Sequence, residues 1–292
     1  MLTLKAPAKI NWFLNVLGTR NDGFHEIQSL IQKVTLYDTL SFSPSADIEL
    51  RTEAPVPVEE NLVFRAAMLL KKMYGINSGA MMTLRKEIPM GAGLGGGSSD
   101  AAAALIGLSR LWSLDISIEE LGAAAAQLGS DVPFFLYGPM GLALGRGEKI
   151  IARKAVRPLD MLLVKPDFSI STAWAYKKLS EKRSGKNEEK DPELTKKTGK
   201  VNNIEHFIRS IERAELGGLA VNVSNDLESV AIESFPAIAE IKDRLLAHGA
   251  EFSLMSGSGS VVFGVFGSRE KAVDASAAFD GFWTAAVQTI VD

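Results

Sequence analysis

The sequence predicts an α+β protein of two domains, and three observations support this class. The chain has 292 residues, the length of two domains of about 100–200 residues each. Strand-like and helix-like apolar patterns alternate along the first half. The second half follows the order β-α-β-β-α-β with helical insertions, which is typical of a split β-α-β layer. We therefore predict one domain over residues 1–152 and a second over residues 153–292.

The first half is predicted to begin with strands and to continue with capped helices. Two short apolar runs, Leu2–Leu4 and Ile10–Val16, predict strands that are interrupted at Pro7. Asn61 can cap a helix whose apolar positions step mostly by three and four residues until Gly75. The later elements of this half are a strand over Met81–Ile88, a helix with Ala101, Leu105, Leu108 and Trp112 on one stripe, and a helix with a Ser117–Glu120 capping box that stops at Gly129.

The second half is predicted to hold four strands and two main helices. Its strands are Leu159–Val164, Phe252–Met255, Val261–Phe266 and Trp283–Val291, and its helices run from Pro236 to Gly249 and from Ser268 through Ala277. Between the first strand and the first of these helices lies Lys177–Lys200, which has nine basic and five acidic residues. That segment has almost nothing to bury, which predicts a solvated helix end and loop.

Charge and residue content exclude several classes of protein and of site. The 32 basic and 35 acidic residues give a net charge of −3, so no nucleic-acid partner is expected. The absence of cysteine excludes disulfides, thiol nucleophiles and cysteine-ligated metals, and three distant histidines (His25, His206, His248) do not suggest a metal site. Charges at Lys5 and Lys9 interrupt any signal-peptide core, and no apolar stretch is long enough for a membrane helix. We expect a cytoplasmic protein without a membrane partner, and the sequence predicts no oligomeric state.

A glycine-rich segment between a predicted strand and a predicted helix indicates phosphate binding. Residues 89–100 read Pro-Met-Gly-Ala-Gly-Leu-Gly-Gly-Gly-Ser-Ser-Asp, with five glycines in the seven residues 91–97. Glycines let the backbone N–H groups approach a ligand closely. Together with the N-terminus of a helix that starts near Ser98, these groups form an anion site. A phosphate group is the expected occupant.

Two general types of phosphate loop do not account for this segment well. A Walker loop ends in Gly-Lys followed by Ser or Thr, and the segment has no lysine. Gly91, Gly93 and Gly96 do match the dinucleotide pattern G-x-G-x-x-G. That pattern requires an acidic residue about 20 positions later, a role that Asp115 or Glu119 would have to take. A dinucleotide-dependent oxidoreductase therefore stays open as an alternative.

A third type of loop fits the whole segment. The sequence Pro-x-Gly-Ala-Gly-Leu-Gly-Gly-Gly-Ser-Ser resembles the phosphate loop of the GHMP small-molecule kinases, which include galacto-, homoserine, mevalonate and phosphomevalonate kinases. Three further segments resemble motifs of the branch of this family that phosphorylates 4-diphosphocytidyl-2-C-methyl-D-erythritol. They are Pro7-Ala8-Lys9-Ile10-Asn11 followed by Arg20-x-Asp22-Gly23-Phe24-His25, Gly129-Ser130-Asp131-Val132-Pro133-Phe134-Phe135, and Met255-Ser256-Gly257-Ser258-Gly259. The four motifs follow the family's order and span nearly the whole chain.

The resemblance implies a fold, a reaction and a set of ligands. The fold is the two-domain GHMP kinase fold, with an N-terminal nucleotide domain like ribosomal protein S5 and a C-terminal ferredoxin-like split β-α-β domain. The reaction is transfer of the ATP γ-phosphate to the 2-hydroxyl of the cytidyl substrate, a step of the non-mevalonate isoprenoid (terpenoid) route. A homoserine or mevalonate type of GHMP kinase is the nearest alternative. The ligands are that small molecule, ATP and Mg²⁺, with the ion held mainly by phosphates and no separate metal site in the protein.

The resemblance also assigns roles to positions of this chain. The family's catalytic pair falls on Lys9 and Asp131. Phe24 stands where tyrosine is commoner, which keeps ring stacking and removes a hydroxyl contact. The nucleotide-binding residues fall on Asn61, Lys86, Pro89, Met90, Gly91, Ala92, Gly93, Leu94, Gly95, Gly96, Gly97, Ser98 and Ser99, and the substrate-binding residues fall on Asn11, Phe24, His25, Thr172 and Tyr176.

The two catalytic candidates also have simpler explanations. Asp131 lies between a Gly-Ser turn and the apolar run Val-Pro-Phe-Phe, so it is either a general base or the N-cap of a helix before Pro133. Strand alternation places Lys9 on the face opposite Ile10, where a lysine is usually exposed. Pairing with Asp131 would instead orient the carboxylate and keep it ionised.

Overall fold

Two β-sheets with helices packed on them form the architecture, in a computed structural model that describes residues 1–184, 200–213 and 224–291. The strands are β1 Leu2–Thr19, β2 His25–Ser45, β3 Ile48–Thr52, β4 Gly79–Arg85, β5 Met140–Gly145, β6 Lys149–Arg153, β7 Asp160–Lys165, β8 Phe252–Met255, β9 Val262–Phe266 and β10 Trp283–Gln288. The helices are α1 Leu62–Tyr74, α2 Gly96–Leu111, α3 Ile118–Leu128, α4 Thr172–Ser184, α5 Lys200–Arg213, α6 Asp226–Ser234, α7 Ala237–Ala247 and α8 Arg269–Ser276. Short 3₁₀ helices occur at Val58–Glu60, Pro133–Leu136 and Ala277–Phe279.

The first sheet is built around two long antiparallel strands. Its order is β3-β4-β2-β5-β6, with β1 paired to β2, and only β3 and β4 run parallel within it. The prediction of two strands separated at Pro7 is wrong, because β1 runs without interruption over 18 residues. Its register on β2 shifts between Pro7 and Ala8. A bulge at this point accommodates a residue that has no N–H to donate, so the strand continues past it.

The predicted helix boundaries of the first half are confirmed. The Asn61 side chain accepts the N–H of Val63 at 2.9 Å, and Gly75 ends α1 with φ +62°. The predicted capping box is present at the start of α3. The strand predicted over Met81–Ile88 is wrong at its end, because β4 stops at Arg85. The next main-chain N–H groups leave the sheet, and those of Glu87 and Ile88 donate to the Asp38 carboxylate.

The second sheet has the predicted β-α-β-β-α-β order. Its strands lie in the order β10-β7-β9-β8, and every pair is antiparallel. Ser268 caps α8 as predicted, and the α7 helix begins after Pro236. The last strand ends at Gln288, before the predicted Val291, because the chain then crosses towards the first sheet. There the N–H of Ile290 donates to the carbonyl of Lys33 on β2.

One apolar core joins the two sheets. Trp12 of β1 packs edge-on against Phe263 of β9 with ring centroids 5.8 Å apart, and Phe13 packs against Phe207 of α5. β1 is therefore covered on both faces by protein. The chain leaves the first sheet at Arg153 and enters the second sheet at Asp160. The domain boundary predicted between residues 152 and 153 stays a prediction.

The charged segment of the second half is described only in part. Its first residues, from Lys177, continue α4 to Ser184, and residues 185–199 lie outside the described residues. Within the described ranges, none of the helices has both the length and the apolar character needed to cross a bilayer.

Candidate active site

A cavity of about 970 Å³ is lined by residues of both sheet layers. Its walls are the glycine-rich loop, β1, the start of α1, the start of α4, the loop around Asp131, and the turn between β8 and β9. The predicted site residues that line it are Lys9, Asn11, Phe24, His25, Asn61, Lys86, Pro89, Met90, Gly91, Ala92, Gly93, Leu94, Gly95, Gly96, Gly97, Ser98, Asp131, Thr172 and Tyr176. Among the predicted residues, only Ser99 does not line it.

The glycine-rich loop has the geometry of an anion site. Gly91, Gly93 and Gly95 adopt φ values of +60°, +76° and +67°, which side chains rarely tolerate. α2 begins at Gly96, within this segment, and the N–H groups of its first three residues have no acceptor within the helix. These groups and the positive end of the helix dipole favour a bound anion.

Ser99 is the fourth residue of α2, and it does not line the cavity. Its N–H donates to the carbonyl of Gly95 at 2.9 Å, so it is already used within the helix. Its Oγ is buried and has no hydrogen-bond partner. The geometry therefore gives Ser99 no contact with the cavity.

Lys86 reaches the start of α2 between two buried aspartates. Its Nζ contacts Asp38 and lies 2.7 Å from Asp100 Oδ2. The other Asp38 oxygen accepts the main-chain N–H groups of Glu87 and Ile88, at 2.6 and 2.9 Å. Burial raises the pKa of Asp100 to about 7, with Lys86 opposing that shift and the Asp38 charge adding to it. The lysine is thus fixed at the rim of the phosphate loop by two carboxyl groups.

Lys9 and Asp131 meet beside Gly95 of the loop. Lys9 Nζ lies 3.6 Å from Asp131 Oδ2 and donates to Asn11 Oδ1 at 2.5 Å. Asn11 donates in turn to Ser29 Oγ at 2.8 Å, and Ser29 donates to the carbonyl of Phe13. This chain of bonds ties the lysine amine to the β1–β2 ladder.

The two members of this pair differ in exposure. Lys9 is buried, and burial lowers the pKa of its amine while the Asp131 carboxylate opposes the shift. The Asp131 side chain is 38% exposed and faces the cavity. No side chain caps the 3₁₀ helix Pro133–Leu136, whose N-cap is Val132. The explanations of Asp131 as a helix cap and of Lys9 as an exposed strand residue are therefore wrong.

The aromatic residues of the cavity lie beside α4. His25 stacks on Tyr176 with ring centroids 4.8 Å apart, and its Nε2 lies 2.8 Å from Ser180 Oγ. Burial, with a smaller contribution from the positive charge of Arg183, lowers the pKa of His25. Burial also raises the pKa of the Tyr176 hydroxyl. Both rings are thus held in their uncharged forms at neutral pH.

Phe24 stands apart from this stack. Half of its surface is exposed, and the guanidinium of Arg146 lies 5.0 Å from its ring centroid. Phe24 and Tyr176 therefore border the same cavity but have different neighbours, which are Arg146 for Phe24 and His25 for Tyr176.

The β8–β9 turn (residues 256–260) closes the site from the second sheet. Ser256 Oγ donates to the carbonyl of Gly93 at 3.0 Å, and a Cβ added at Gly93 would overlap the Ser256 carbonyl. A Cβ added at Gly257 would lie 3.2 Å from Lys9 Nζ, and Ser258 Oγ lies 2.9 Å from Thr172 Oγ1. The turn thus touches the phosphate loop, the lysine amine and the start of α4.

Family comparisons agree with this geometry in both halves. The model of the GHMP kinases N terminal domain matches residues 61–139, and that of the GHMP kinases C terminal matches residues 205–285. The chain belongs to the GHMP kinase family. The predicted fold class is confirmed with it, whereas neither match reaches the predicted boundary at residues 152 and 153.

Several relatives and solved structures resemble this GHMP kinase over most of its length. It is 45% identical to the 4-diphosphocytidyl-2-C-methyl-D-erythritol kinase of Thermodesulfovibrio yellowstonii, covering 100% of this chain and 99% of that protein. It is 41% identical to the enzyme of the same name from Geobacter metallireducens, covering 93% and 91%. A crystal structure of 4-(cytidine 5'-diphospho)-2C-methyl-D-erythritol kinase superimposes with a TM-score of 0.79 at 32% identity, covering 99% and 100%. Homoserine kinase from Cytophaga hutchinsonii shares the fold, with a TM-score of 0.74 at 19% identity over 99% and 94%.

The oxidoreductase alternative is not favoured for this GHMP kinase. A dinucleotide fold requires the glycine pattern after a strand of a parallel sheet. Here the loop follows β4, which is antiparallel to its central neighbour β2.

Sequence reasoning missed four residues around the cavity. Asp38 and Asp100 fix Lys86, Arg146 covers Phe24, and Asn225 binds the β8–β9 turn. The one local signal was Asp38, a charged residue within a run of strand residues. Asp100 contacts Lys86 across only 14 residues and already stands in the glycine-rich segment, whereas the contacts of Arg146 and Asn225 join segments that are far apart in the sequence.

Proposed function

We propose that this GHMP kinase transfers the γ-phosphate of ATP to the 2-hydroxyl of 4-diphosphocytidyl-2-C-methyl-D-erythritol, in the non-mevalonate route to isoprenoids. The observation that carries this proposal is the Lys9–Asp131 pair beside a phosphate loop, in a single cavity. Relatives that are 40–45% identical over nearly the whole chain carry that enzyme name, which supports the choice of acceptor. The reaction uses ATP, and we place it in the cytoplasm, where ATP is abundant.

ATP fits the residues that line the loop end of the cavity. The left-handed glycines and the free N–H groups of the first turn of α2 suit the phosphates. Asn61 and Lys86, near the same loop, are proposed to lie beside the adenosine. ATP supplies the phosphoryl group for transfer, and the protein's part is to position it and to balance its charge.

Asp131 is the proposed general base. Its exposed carboxylate can accept the proton of the acceptor hydroxyl once that hydroxyl lies within hydrogen-bond reach. Lys9 favours the ionised carboxylate through its opposite charge and fixes its orientation. Because the amine is also bonded to Asn11, its position is fixed, and it favours one orientation of the carboxylate.

Mg²⁺ is proposed to bind chiefly to the phosphates. In the described part of the chain, no cluster of three or more His, Asp or Glu side chains is arranged to hold a metal. An ion that accompanies ATP usually keeps several waters and binds phosphate oxygens with one or two protein ligands. That chemistry agrees with a site that supplies mostly backbone N–H groups.

The cytosine end of the acceptor is proposed to lie near the aromatic residues. Phe24 and Tyr176 border the cavity and can stack on a planar base, while His25 and Thr172 offer polar atoms near them. Arg146 beside Phe24 adds a positive charge that suits a diphosphate.

ADP release with the purified protein tests the proposal. With Mg²⁺ and ATP, we expect turnover with the cytidyl substrate and none with galactose, homoserine or mevalonate, and ³¹P NMR should place the new phosphate on the 2-hydroxyl. CMP should compete with the substrate, and UMP should compete poorly. Turnover with homoserine or mevalonate, or equal inhibition by CMP and UMP, would assign the protein to another branch of the family.

A further inference from the structure

Asn225 is a buried side chain outside all four motifs of the sequence. Its Oδ1 accepts the N–H of Leu227 at 3.0 Å, which caps α6. Its Nδ2 donates to two main-chain carbonyls, that of Met255 at 2.8 Å and that of Gly257 at 2.6 Å. The amide thus has three partners, and two of them belong to the end of β8 and the β8–β9 turn.

The neighbours of Asn225 bind the same two structures. The carbonyl of Ser224 accepts the N–H of Leu14 at 3.1 Å, and Asp226 Oδ2 accepts the N–H of Val16 at 2.8 Å. Glu228 Oε2 accepts the N–H of Met255 at 2.7 Å. Residues 224–228 therefore bond β1 on one side and β8 on the other.

Both of these structures carry the residues of the proposed reaction. β1 holds Lys9 and Asn11, and the β8–β9 turn brings Gly257 against that lysine amine and Ser256 against Gly93 of the phosphate loop. A change in the distance between β1 and the turn would therefore move the lysine relative to the loop.

We propose that Asn225 is a positioning residue that holds the β8–β9 turn at a fixed distance from β1 and so sets Lys9 against the phosphate loop. This inference rests on the proposed function for its effect on turnover. A side-chain amide suits the task because it has two donor hydrogens for two carbonyls and an acceptor for the helix N–H. A serine or an ionised carboxylate could keep the cap and could not make both donor bonds.

Asn225→Ser keeps the cap of α6 and removes the two donor bonds to the carbonyls of Met255 and Gly257. Serine is as good an N-cap as asparagine, so α6 should keep its start while the turn loses both bonds. The matched control is Ser268→Ala, which removes a cap bond of 3.3 Å at α8, outside the cavity.

Hydrogen exchange tests, without any substrate, whether Asn225 holds the β8–β9 turn in place. In Asn225→Ser, amides 255–259 should exchange about tenfold faster than in the wild type, with helix 226–234 unchanged. Ser268→Ala should leave the turn as in the wild type. Unchanged protection of the turn, or faster exchange confined to helix 226–234, would overturn the proposal.

Turnover tests the consequence for the reaction. A misplacement of about 1 Å can cost about a hundredfold in rate, so Asn225→Ser should lower kcat by about 10- to 100-fold. The Kd for ATP, measured by calorimetry, should stay within about threefold, because α2 and β4 still hold the loop. Ser268→Ala should keep the wild-type kcat. A variant with normal kcat and only a lower melting temperature would show a merely structural role.

Asn225→Asp gives different expected activities for the two roles of Asn225, as the cap of α6 and as the donor to the β8–β9 turn. As a helix cap, an ionised carboxylate at the N-terminus is favourable, so with this role alone the activity should stay close to that of the wild type. As a donor to the turn, an ionised carboxylate has no hydrogen to give and would face two carbonyl oxygens, so Asn225→Asp should lower kcat at least as much as Asn225→Ser at both pH 8 and pH 6. The charged groups around it are Asp226, paired with Arg183, Glu228, paired with Lys242, and Lys9 across Gly257. The wild type, measured at each pH, carries the same groups and corrects for their titration.

The two proposals fail in different ways. A wild-type protein without turnover on the cytidyl substrate would overturn the proposed function, and the exchange of turn amides would still test whether Asn225 holds the turn. An active wild type with an equally active Asn225→Ser variant would overturn the positioning role of Asn225 and leave the proposed function standing. If Asn225→Ser does not fold, Asn225→Asp keeps the helix cap, lacks both donor bonds and gives the same comparison.

Discussion

Gly95 is the position where the structure gives the sharpest prediction for the phosphate loop. It precedes α2 with φ +67°, and an added Cβ would lie 3.0 Å from Lys9 Cγ and 3.1 Å from Phe135 Cζ. A left-handed residue with a side chain costs about 1–2 kcal/mol. Gly97 is the matched control, because it lies in the first turn of α2 and its added Cβ would meet only Leu62, at 3.9 Å.

The two alanine variants should therefore change stability in opposite directions. Gly97→Ala should gain up to about 1 kcal/mol from helix propensity, so Gly95→Ala should be less stable than Gly97→Ala by about 2–3 kcal/mol. Urea unfolding of the ligand-free protein measures the difference. Because the new methyl would press on the Lys9 stem, Gly95→Ala should also lower kcat more than it weakens ATP binding. Equal stability of the two variants would refute the left-handed conformation at Gly95.

Three further predictions concern the base, a buried lysine and the aromatic residues. Asp131→Asn should keep ATP affinity by calorimetry and lower turnover by about 10²–10⁴, and near-normal turnover would rule out a general base at this position. Burial lowers the pKa of Lys33 from 10.5 to about 8. Between pH 8 and pH 10.5 the Lys33 amine is therefore protonated in the unfolded chain and mostly neutral in the folded chain. Wild-type unfolding free energy should therefore rise relative to Lys33→Met from pH 8 to pH 10, and a constant difference in urea unfolding would contradict this. Tyr176→Ala should raise the KM for the cytidyl substrate and leave the Kd for ATP unchanged, and a wild-type KM would remove Tyr176 from the substrate site.

Local chemistry explains which parts of the fold could be predicted. The Asn61 cap, the Ser117–Glu120 box and the Gly75 stop depend on residues within a few positions of each other, and each is present. The phosphate loop is predictable for the same reason, because its glycines and the following helix are adjacent in the chain. The β-α-β-β-α-β succession of elements in the second half followed from its strand and helix pattern.

Contacts between distant segments explain which parts could not. Asn225 lies 30 residues from Met255, and Asp226 lies 210 residues from its partner Val16. Nothing in the local sequence of either residue marks these contacts. The end of β4 was missed for a similar reason, since a carboxylate 49 residues away accepts the N–H of Glu87.

Lys9 shows how one wrong local prediction changes the interpretation of a site. A strand that stopped at Pro7 would leave Lys9 near a free edge, where its long side chain would reach water. The bulge at Pro7 instead lets β1 continue into the space between the two sheets, and both Ile10 and Lys9 are buried there. A buried ammonium is unfavourable without an anion or polar partners. The partners available to Lys9 are Asn11 and the Asp131 carboxylate, so the continuity of β1 makes this pairing necessary for the charged lysine, and the alternation of strand residues could not have indicated it.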